Sequence, residues 1–163
     1  MLRISIIFLF GILNLMAEDI SFSSTIFIKA SKTKVWNALV EPKEVSKYFM
    51  CPMIRMGNKI GDSIEYGIGK DVMISGKIVE IKVEDTLSYS FLFDPESHIG
   101  TEKDAQTVVK VTISEDNGVT TLELVHGGFH GKDQTYANIV GGWPWIISNL
   151  KTYLETGKTL NEK

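Results

Sequence analysis

The sequence has very little cysteine, since Cys51 is the only one among 163 residues. A single cysteine excludes an internal disulfide and any metal cluster built from cysteine ligands. Positive charge is not in excess either, because 17 lysine and arginine residues stand against 20 aspartate and glutamate residues, for a net charge of -3. A chain of this charge has no basic footprint for a polyanion, and we predict no nucleic-acid partner.

Apolar residues are present in ordinary amount, at 44% of the chain, which suits one domain with a real core. The first 17 residues stand apart, because a short basic start at residues 1–3 is followed by an almost entirely apolar run from Ile4 to Leu13. This pattern is typical of a secretory signal peptide and is too short to span a membrane comfortably. We therefore expect a signal peptide at residues 1–17 and one domain at residues 18–163. The mature protein would be secreted or periplasmic, with no stable membrane span; a start at Met16 would make it cytoplasmic.

Alternating apolar and polar residues, separated by turn residues, predict strands through most of the chain. Gly76 interrupts one strand and is a candidate for a bulge or bend, and Asp116-Asn117-Gly118 is a strong hairpin signal. The predicted strands are Ile20–Ile28, Ser63–Ile68, Val72–Val83, Thr86–Phe93, Gln106–Ile113 and Val119–His126. Two short helices are predicted after the first strand, at Lys32–Val40 and Lys43–Tyr48, and a polar loop at Asp94–Asp104.

The C-terminal segment predicts a long amphipathic helix that ends before Gly157. Asp133 or Thr135 is available as its N-cap. Pro144 lies inside the pattern, where proline removes a backbone hydrogen bond, so we expect a kink near residues 140–142 or a firm helix that starts only near Trp143. The apolar positions that form one stripe are Ile139, Trp143, Ile146, Ile147, Leu150, Tyr153 and Leu154.

Together these elements predict an α+β domain in which a curved antiparallel sheet wraps around the long C-terminal helix. This arrangement buries the apolar face of the sheet and the apolar stripe of the helix against each other. Bulky side chains at the edges would hold the two layers apart and leave a cavity, which is where ligands usually bind.

The order of elements and several short motifs resemble the START-like (SRPBCC) superfamily, whose shape is called a helix-grip. Within it, the chain is similar to the family named for the activator of heat-shock protein 90 ATPase. The resemblance covers residues 20–158 and implies the fold and an apolar pocket. The superfamily includes lipid carriers, cyclases and co-chaperone domains, so the resemblance does not identify a reaction. The motifs are Ile28-Lys29-Ala30-Ser31 with Lys34-Val35-Trp36, Gly76-Lys77-Ile78-Val79-Glu80-Ile81, Val119 to Phe129, and Gly141-Gly142-Trp143 followed by Leu150 and Leu154.

Aromatic and methionine residues are the most suggestive candidates for a binding site, because they line adaptable apolar pockets. Thirteen of them are too many for one solid core without unusual crowding: Tyr48, Phe49, Met50, Met53, Met56, Tyr66, Met73, Tyr89, Phe91, Phe93, Phe129, Trp143 and Trp145. We predict that the pocket is lined by Tyr48, Phe49, Met53, Tyr66, Tyr89, Phe91, His126, Phe129 and Trp143.

No residue pattern points to catalysis, a metal or a cofactor. Cys51 follows a short predicted helix, and we expect it to be a small buried apolar residue. His126 and His130 have the spacing of two ligands on a helix, but two glycines separate them and no third ligand is evident. The carboxylates of the polar loop, such as Asp94 and Glu102, and the nearby His98 are typical of solvated residues.

The predicted function is therefore the non-catalytic binding of a small apolar or amphipathic ligand between sheet and helix. Two alternatives stay open at this point. One is an enzyme of the cyclase or hydrolase kind on the same fold, and the other is an interaction module with a protein partner.

Overall fold

A computed structural model of the protein describes residues 20–97 and 106–161. Residues 1–17, Met16, His98, Glu102 and Asp104, on which some of the predictions above fall, lie outside the described residues. The elements, in chain order, are β1 (Phe22–Ile28), α1 (Lys32–Val40), α2 (Pro42–Tyr48), β2 (Met53–Met56), β3 (Ser63–Ile68), β4 (Asp71–Lys82), β5 (Thr86–Phe93), β6 (Thr107–Asp116), β7 (Val119–Gly127) and α3 (Gln134–Thr156).

The strands form one antiparallel sheet in the order β1-β7-β6-β5-β4-β3-β2. From β2 to β7 each strand pairs antiparallel with the next one in the chain. In the β6–β7 turn Asn117 and Gly118 have φ values of 51° and 76°, which is the left-handed conformation that the Asn-Gly pair favours. β1 pairs with β7 instead, so α1 and α2 carry the chain from one edge of the sheet to the other.

α1 begins at the predicted residue, Lys32, and α2 begins at Pro42, one residue before its predicted start. The side chain of Ser31 accepts a hydrogen bond from the Lys34 backbone N–H at the start of α1. Pro42 is the first residue of α2, where the missing proline N–H costs no helical hydrogen bond. The fold class predicted from the sequence, a curved sheet around one long helix with two short helices after the first strand, is confirmed.

Two details of the sheet differ from the prediction. β2 is a seventh strand that the sequence pattern did not reveal, because four residues are too few to show an alternation. The irregularity in β4 falls at Val79 rather than at Gly76, since Ile78 pairs with Tyr89 and Glu80 with Ser88. Gly76 instead permits a close approach of two backbones: a Cβ there would lie 1.7 Å from the Ser90 carbonyl oxygen.

The long helix α3 starts at Gln134, so the prediction of a firm helix beginning near Trp143 is wrong. The Asp133 side chain caps the first turn by accepting the Tyr136 backbone N–H. Pro144 is tolerated because it lies on the exposed side, where water can bond the Val140 carbonyl that lost its partner. Gly157, with φ of 77°, ends the helix as predicted.

The concave face of the sheet packs on the apolar stripe of α3 to form the core. Each fully buried aliphatic side chain, such as Leu122, Leu124 or Leu150, contributes about 1.5–3 kcal/mol by leaving water. Asn149 is one of two polar residues buried on α3, and Thr135 is the other. The Asn149 side chain donates to the Tyr48 carbonyl at 2.8 Å and accepts the Leu160 backbone N–H at 2.7 Å, which ties α2 and the C-terminal tail to α3.

Among the described residues, no helix is both long enough and apolar enough to cross a membrane.

The backbone contact at Gly76 generates a test of the fold. Gly76→Ala is expected to lower the free energy of unfolding by roughly 2–4 kcal/mol, because the new Cβ would overlap the Ser90 carbonyl and push β4 from β5. Gly141→Ala is the matched control: its Cβ meets nothing within 4 Å, and alanine in a helix is expected to raise stability by about 0.5–1 kcal/mol. Urea unfolding of both variants checks the pair, and equal effects would contradict the close β4–β5 approach.

Candidate functional site

A cavity of about 30 Å³ lies between the sheet and α3, and α1 and α2 close one side of it. This volume holds roughly two water molecules. The aromatic residues in its wall are Tyr48, Phe49, Tyr66, Tyr89 and Trp143. The aliphatic residues are Leu39, Val45, Leu87, Val111, Leu122, Leu124, Ile146, Ile147 and Leu150.

A second cavity of about 20 Å³ lies nearer the start of α3. Phe49, Trp143 and Ile146 line both cavities and therefore form the partition between them. The remaining wall of the second cavity consists of Met50, Ile74, Phe91, Phe93, Asn138, Ile139 and Gly142. The two cavities would merge if the partition moved.

Phe49 is the part of the partition nearest the surface. It caps the end of α2 and is only half-buried. Its ring stacks on Tyr66 at 4.6 Å between centroids, with 23° between the planes, and meets Trp143 edge-on at 6.0 Å. The next residue, Met50, is 52% exposed and approaches Gly142 of α3, where a Cβ would lie 3.4 Å from the methionine methyl group. The mouth of the site therefore lies between the α2–β2 connection and α3.

Three buried tyrosines supply the hydroxyl groups around the main cavity. The Tyr48 hydroxyl donates to the Ala38 carbonyl at 3.0 Å. The Tyr66 hydroxyl donates to the Tyr89 hydroxyl oxygen over 3.5 Å, which is long for such a bond. Burial raises the pKa of Tyr89 to about 12, so the group is a neutral hydroxyl at physiological pH.

His126 forms the centre of a buried chain of hydrogen bonds that joins α3 to three strands. Its Nδ1 accepts the indole N–H of Trp143 at 2.9 Å, so the ring proton of the neutral imidazole is on Nε2. That Nε2–H donates to the Thr107 hydroxyl at 2.7 Å, and Thr107 in turn donates to the Phe91 carbonyl at 3.1 Å. Burial lowers the pKa of His126 to about 3, which keeps the imidazole neutral.

The structure brings most of the predicted site residues together. Tyr48, Phe49, Tyr66, Tyr89 and Trp143 line the main cavity, and Phe91 lines the second. Met53, His126 and Phe129 are buried but line neither of these two cavities. His126 lies behind Trp143, and its ring packs on Phe91 and Phe129 with centroids 4.9 Å and 5.0 Å away.

Sequence reasoning missed the aliphatic wall of the cavity. Its members occupy inward positions of α1, α2, β5, β6 and β7 and the apolar stripe of α3, so the same periodicities that predicted the elements also contain this signal. The crowding expected of the thirteen aromatic and methionine residues is relieved by exposure and close packing and not by a large cavity. Met50 and Trp145 are 52% and 48% exposed, and the remaining rings pack against one another, which leaves little empty space.

The groups considered for catalysis or metal binding lie apart from the cavity or are already engaged. Burial raises the pKa of the Cys51 thiol to about 11, which opposes formation of the nucleophilic thiolate. Both ring nitrogens of His126 are used within the fold, and His130 is exposed. Asp94 accepts the Glu96 backbone N–H in a surface turn. Within residues 20–97 and 106–161, no three metal-ligating side chains cluster.

The family model described as "Activator of Hsp90 ATPase homolog 1-like protein" matches residues 29–155, which is most of the chain. The protein belongs to this family. No curated protein sequence matches it at a significant level.

Several solved structures have a backbone similar to that of this protein, although their sequence identity to it is low. A protein of Mesorhizobium loti has a TM-score of 0.70 at 20% identity, over 82% of this chain and 96% of the other. The Aha1 dimer from Colwellia psychrerythraea has a TM-score of 0.69 at 19% identity, over 85% and 98% of the two chains. DynU16, from the dynemicin biosynthetic locus, has a TM-score of 0.68 at 20% identity, over 85% of this chain and 48% of its own. Identities this low establish the shared fold and nothing further.

The buried imidazole of this family member predicts a pH dependence of stability. The pKa of His126 is about 3 in the folded state and close to its ordinary value of 6.5 when unfolded. Below pH 6.5 the unfolded chain therefore binds a proton that the folded chain does not, and the free energy of unfolding falls as the pH falls. The expected contribution is roughly 3 kcal/mol between pH 6.5 and pH 4, measured by urea unfolding.

His126→Asn should remove this part of the pH dependence, whereas His130→Asn, at an exposed position, should retain it. An NMR titration of the unmodified protein gives an independent check. A His126 ring that takes up its proton near pH 6.5 in the folded state would contradict the account.

Proposed function

We propose that this protein binds a small apolar or amphipathic molecule between the sheet and α3, without transforming it. The observation that supports this most is the partition between the two cavities. Only Phe49, Trp143 and Ile146 line both spaces, and Phe49 is attached to the connection after α2 rather than to the sheet or α3.

The present volumes, about 30 Å³ and 20 Å³, hold only a few atoms. A ligand of useful size must therefore displace a side chain, and Phe49 is the member of the partition that is only half-buried. Its ring leaves the stack on Tyr66 and the ligand takes its place. Burial of the ligand's apolar surface, at about 25 cal/mol per Å², offsets the loss of this ring contact.

The chemistry of the walls favours binding over catalysis. Among the described residues that line either cavity, the titratable side chains are the tyrosines Tyr48, Tyr66 and Tyr89. Burial raises the pKa of each, so none of them is an acid or base poised near neutral pH. An enzyme of the cyclase or hydrolase kind requires such a group at the reacting atoms.

The displaced ring generates a binding prediction. Unmodified protein is expected to bind toluene weakly and to shift the NMR signal of the Trp143 indole N–H, because Trp143 lines both cavities. Phe49→Ala should bind toluene at least about tenfold more tightly, since the ring no longer has to be displaced, and should lose about 2–4 kcal/mol of stability. Calorimetric titration and thermal unfolding measure the two effects.

Phe27→Ala is the matched control, because Phe27 is 61% exposed on β1 and lines neither cavity. Its affinity for toluene should equal that of the unmodified protein. The proposal fails if toluene close to its solubility limit leaves the Trp143 signal of the unmodified protein unmoved.

A further inference from the structure

Among the described residues that line the main cavity, two tyrosine hydroxyls share one hydrogen bond, so one hydroxyl proton is left without an acceptor. The hydroxyls of Tyr66 and Tyr89 share a single bond, in which Tyr66 donates and Tyr89 accepts at 3.5 Å. The proton of the Tyr89 hydroxyl then has no acceptor within hydrogen-bonding distance among residues 20–97 and 106–161. Tyr89 is only 4% exposed and lines the cavity, so its proton faces an interior space rather than solvent.

Buried polar groups are nearly always hydrogen-bonded, and an unmet donor destabilises the protein that contains it. The neighbouring tyrosine differs in this respect. Tyr48 lines the same cavity, but its hydroxyl already donates to the Ala38 carbonyl. The unmet donor therefore belongs to the Tyr66–Tyr89 pair and not to Tyr48, and a bound molecule with an acceptor atom would satisfy it.

The charge of that molecule follows from the rest of the wall. No lysine, arginine or histidine is among the described residues that line the main cavity. A carboxylate placed there would lose its water without gaining a countercharge, which costs several kcal/mol. A carbonyl oxygen pays no such penalty and accepts the phenol proton directly.

We infer that the ligand is an uncharged molecule with a carbonyl-type oxygen, which accepts the Tyr89 hydroxyl proton while its apolar body lies against Phe49 and Trp143. This inference rests on the proposed function and adds the chemical class of the ligand. Tyr89 is then the residue that determines specificity, and Tyr66 positions it. The cavity has room for water, and a water molecule there would accept the same proton, so a ligand without an acceptor would displace that water at a loss.

Three probes of equal size separate the contributions of the acceptor atom, the apolar body and the charge to binding: acetophenone, α-methylstyrene and benzoate. They share a phenyl ring and differ in one group, which is a neutral acceptor in acetophenone, an apolar alkene in α-methylstyrene and an anion in benzoate. Each is titrated into the full-length protein by calorimetry and by the NMR signal of the Trp143 indole. Tyr89→Phe removes the donor, and Tyr153→Phe is the control, because Tyr153 lines neither cavity and its hydroxyl donates to Glu44.

The measured quantity is the affinity for acetophenone divided by the affinity for α-methylstyrene within each protein, which cancels general changes in cavity shape. This ratio should fall roughly tenfold in Tyr89→Phe, which is the effect of one buried hydrogen bond, and stay the same in Tyr153→Phe. Benzoate should bind at least about tenfold more weakly than acetophenone to the unmodified protein.

The possible outcomes distinguish a failure of the inferred ligand class from a failure of the proposed binding function. If α-methylstyrene binds and the ratio is the same in all three proteins, or if benzoate binds as tightly as acetophenone, the inference is overturned and the binding function stands. If none of the three probes binds the unmodified protein, the proposed function fails, and the ligand class fails with it.

Discussion

The packing of Trp143 against the sheet is the interaction on which the rest of the structure depends. Its indole N–H donates to His126, which continues through Thr107 to the Phe91 carbonyl, so one chain of hydrogen bonds joins α3 to β7, β6 and β5. The other side of the same ring separates the two cavities. A single side chain thus fixes the position of the long helix and sets the size of the space beneath it.

This arrangement divides the interior into a part that contains a complete chain of hydrogen bonds and a part that is mostly apolar. Behind Trp143 every donor and acceptor of the chain is used, and the low dielectric surroundings strengthen those bonds. In front of it, aliphatic and aromatic walls enclose a small space with one long bond between Tyr66 and Tyr89. Under the proposed function, the hydrogen-bonded part holds the helix in place, and the half-buried Phe49 is the side chain that a ligand displaces.

Periodicity predicted the elements well because a stripe of apolar residues on α3 and alternation in the strands both follow from burial on one face. The exceptions have local causes. β2 is too short to alternate, Gly76 accommodates a neighbouring backbone rather than a bulge, and Pro144 is harmless on an exposed face. Several aromatic residues predicted for the pocket line one or both cavities. The volume of the cavity and the partners of His126 could not be predicted. The main cavity depends on how side chains from seven elements meet and the hydrogen-bond chain of His126 on four, and no pattern within one element contains that information.

Native mass spectrometry of the full-length protein, purified from its own source and compared with the same sample after denaturation, tests the central claim most directly. The account predicts an additional mass in the native spectrum that disappears on denaturation and corresponds to a small uncharged compound with a carbonyl-type oxygen. A reference carrier with a weakly bound apolar ligand shows that the conditions retain such complexes. Under those conditions, the mass of the chain alone in both spectra would contradict the account.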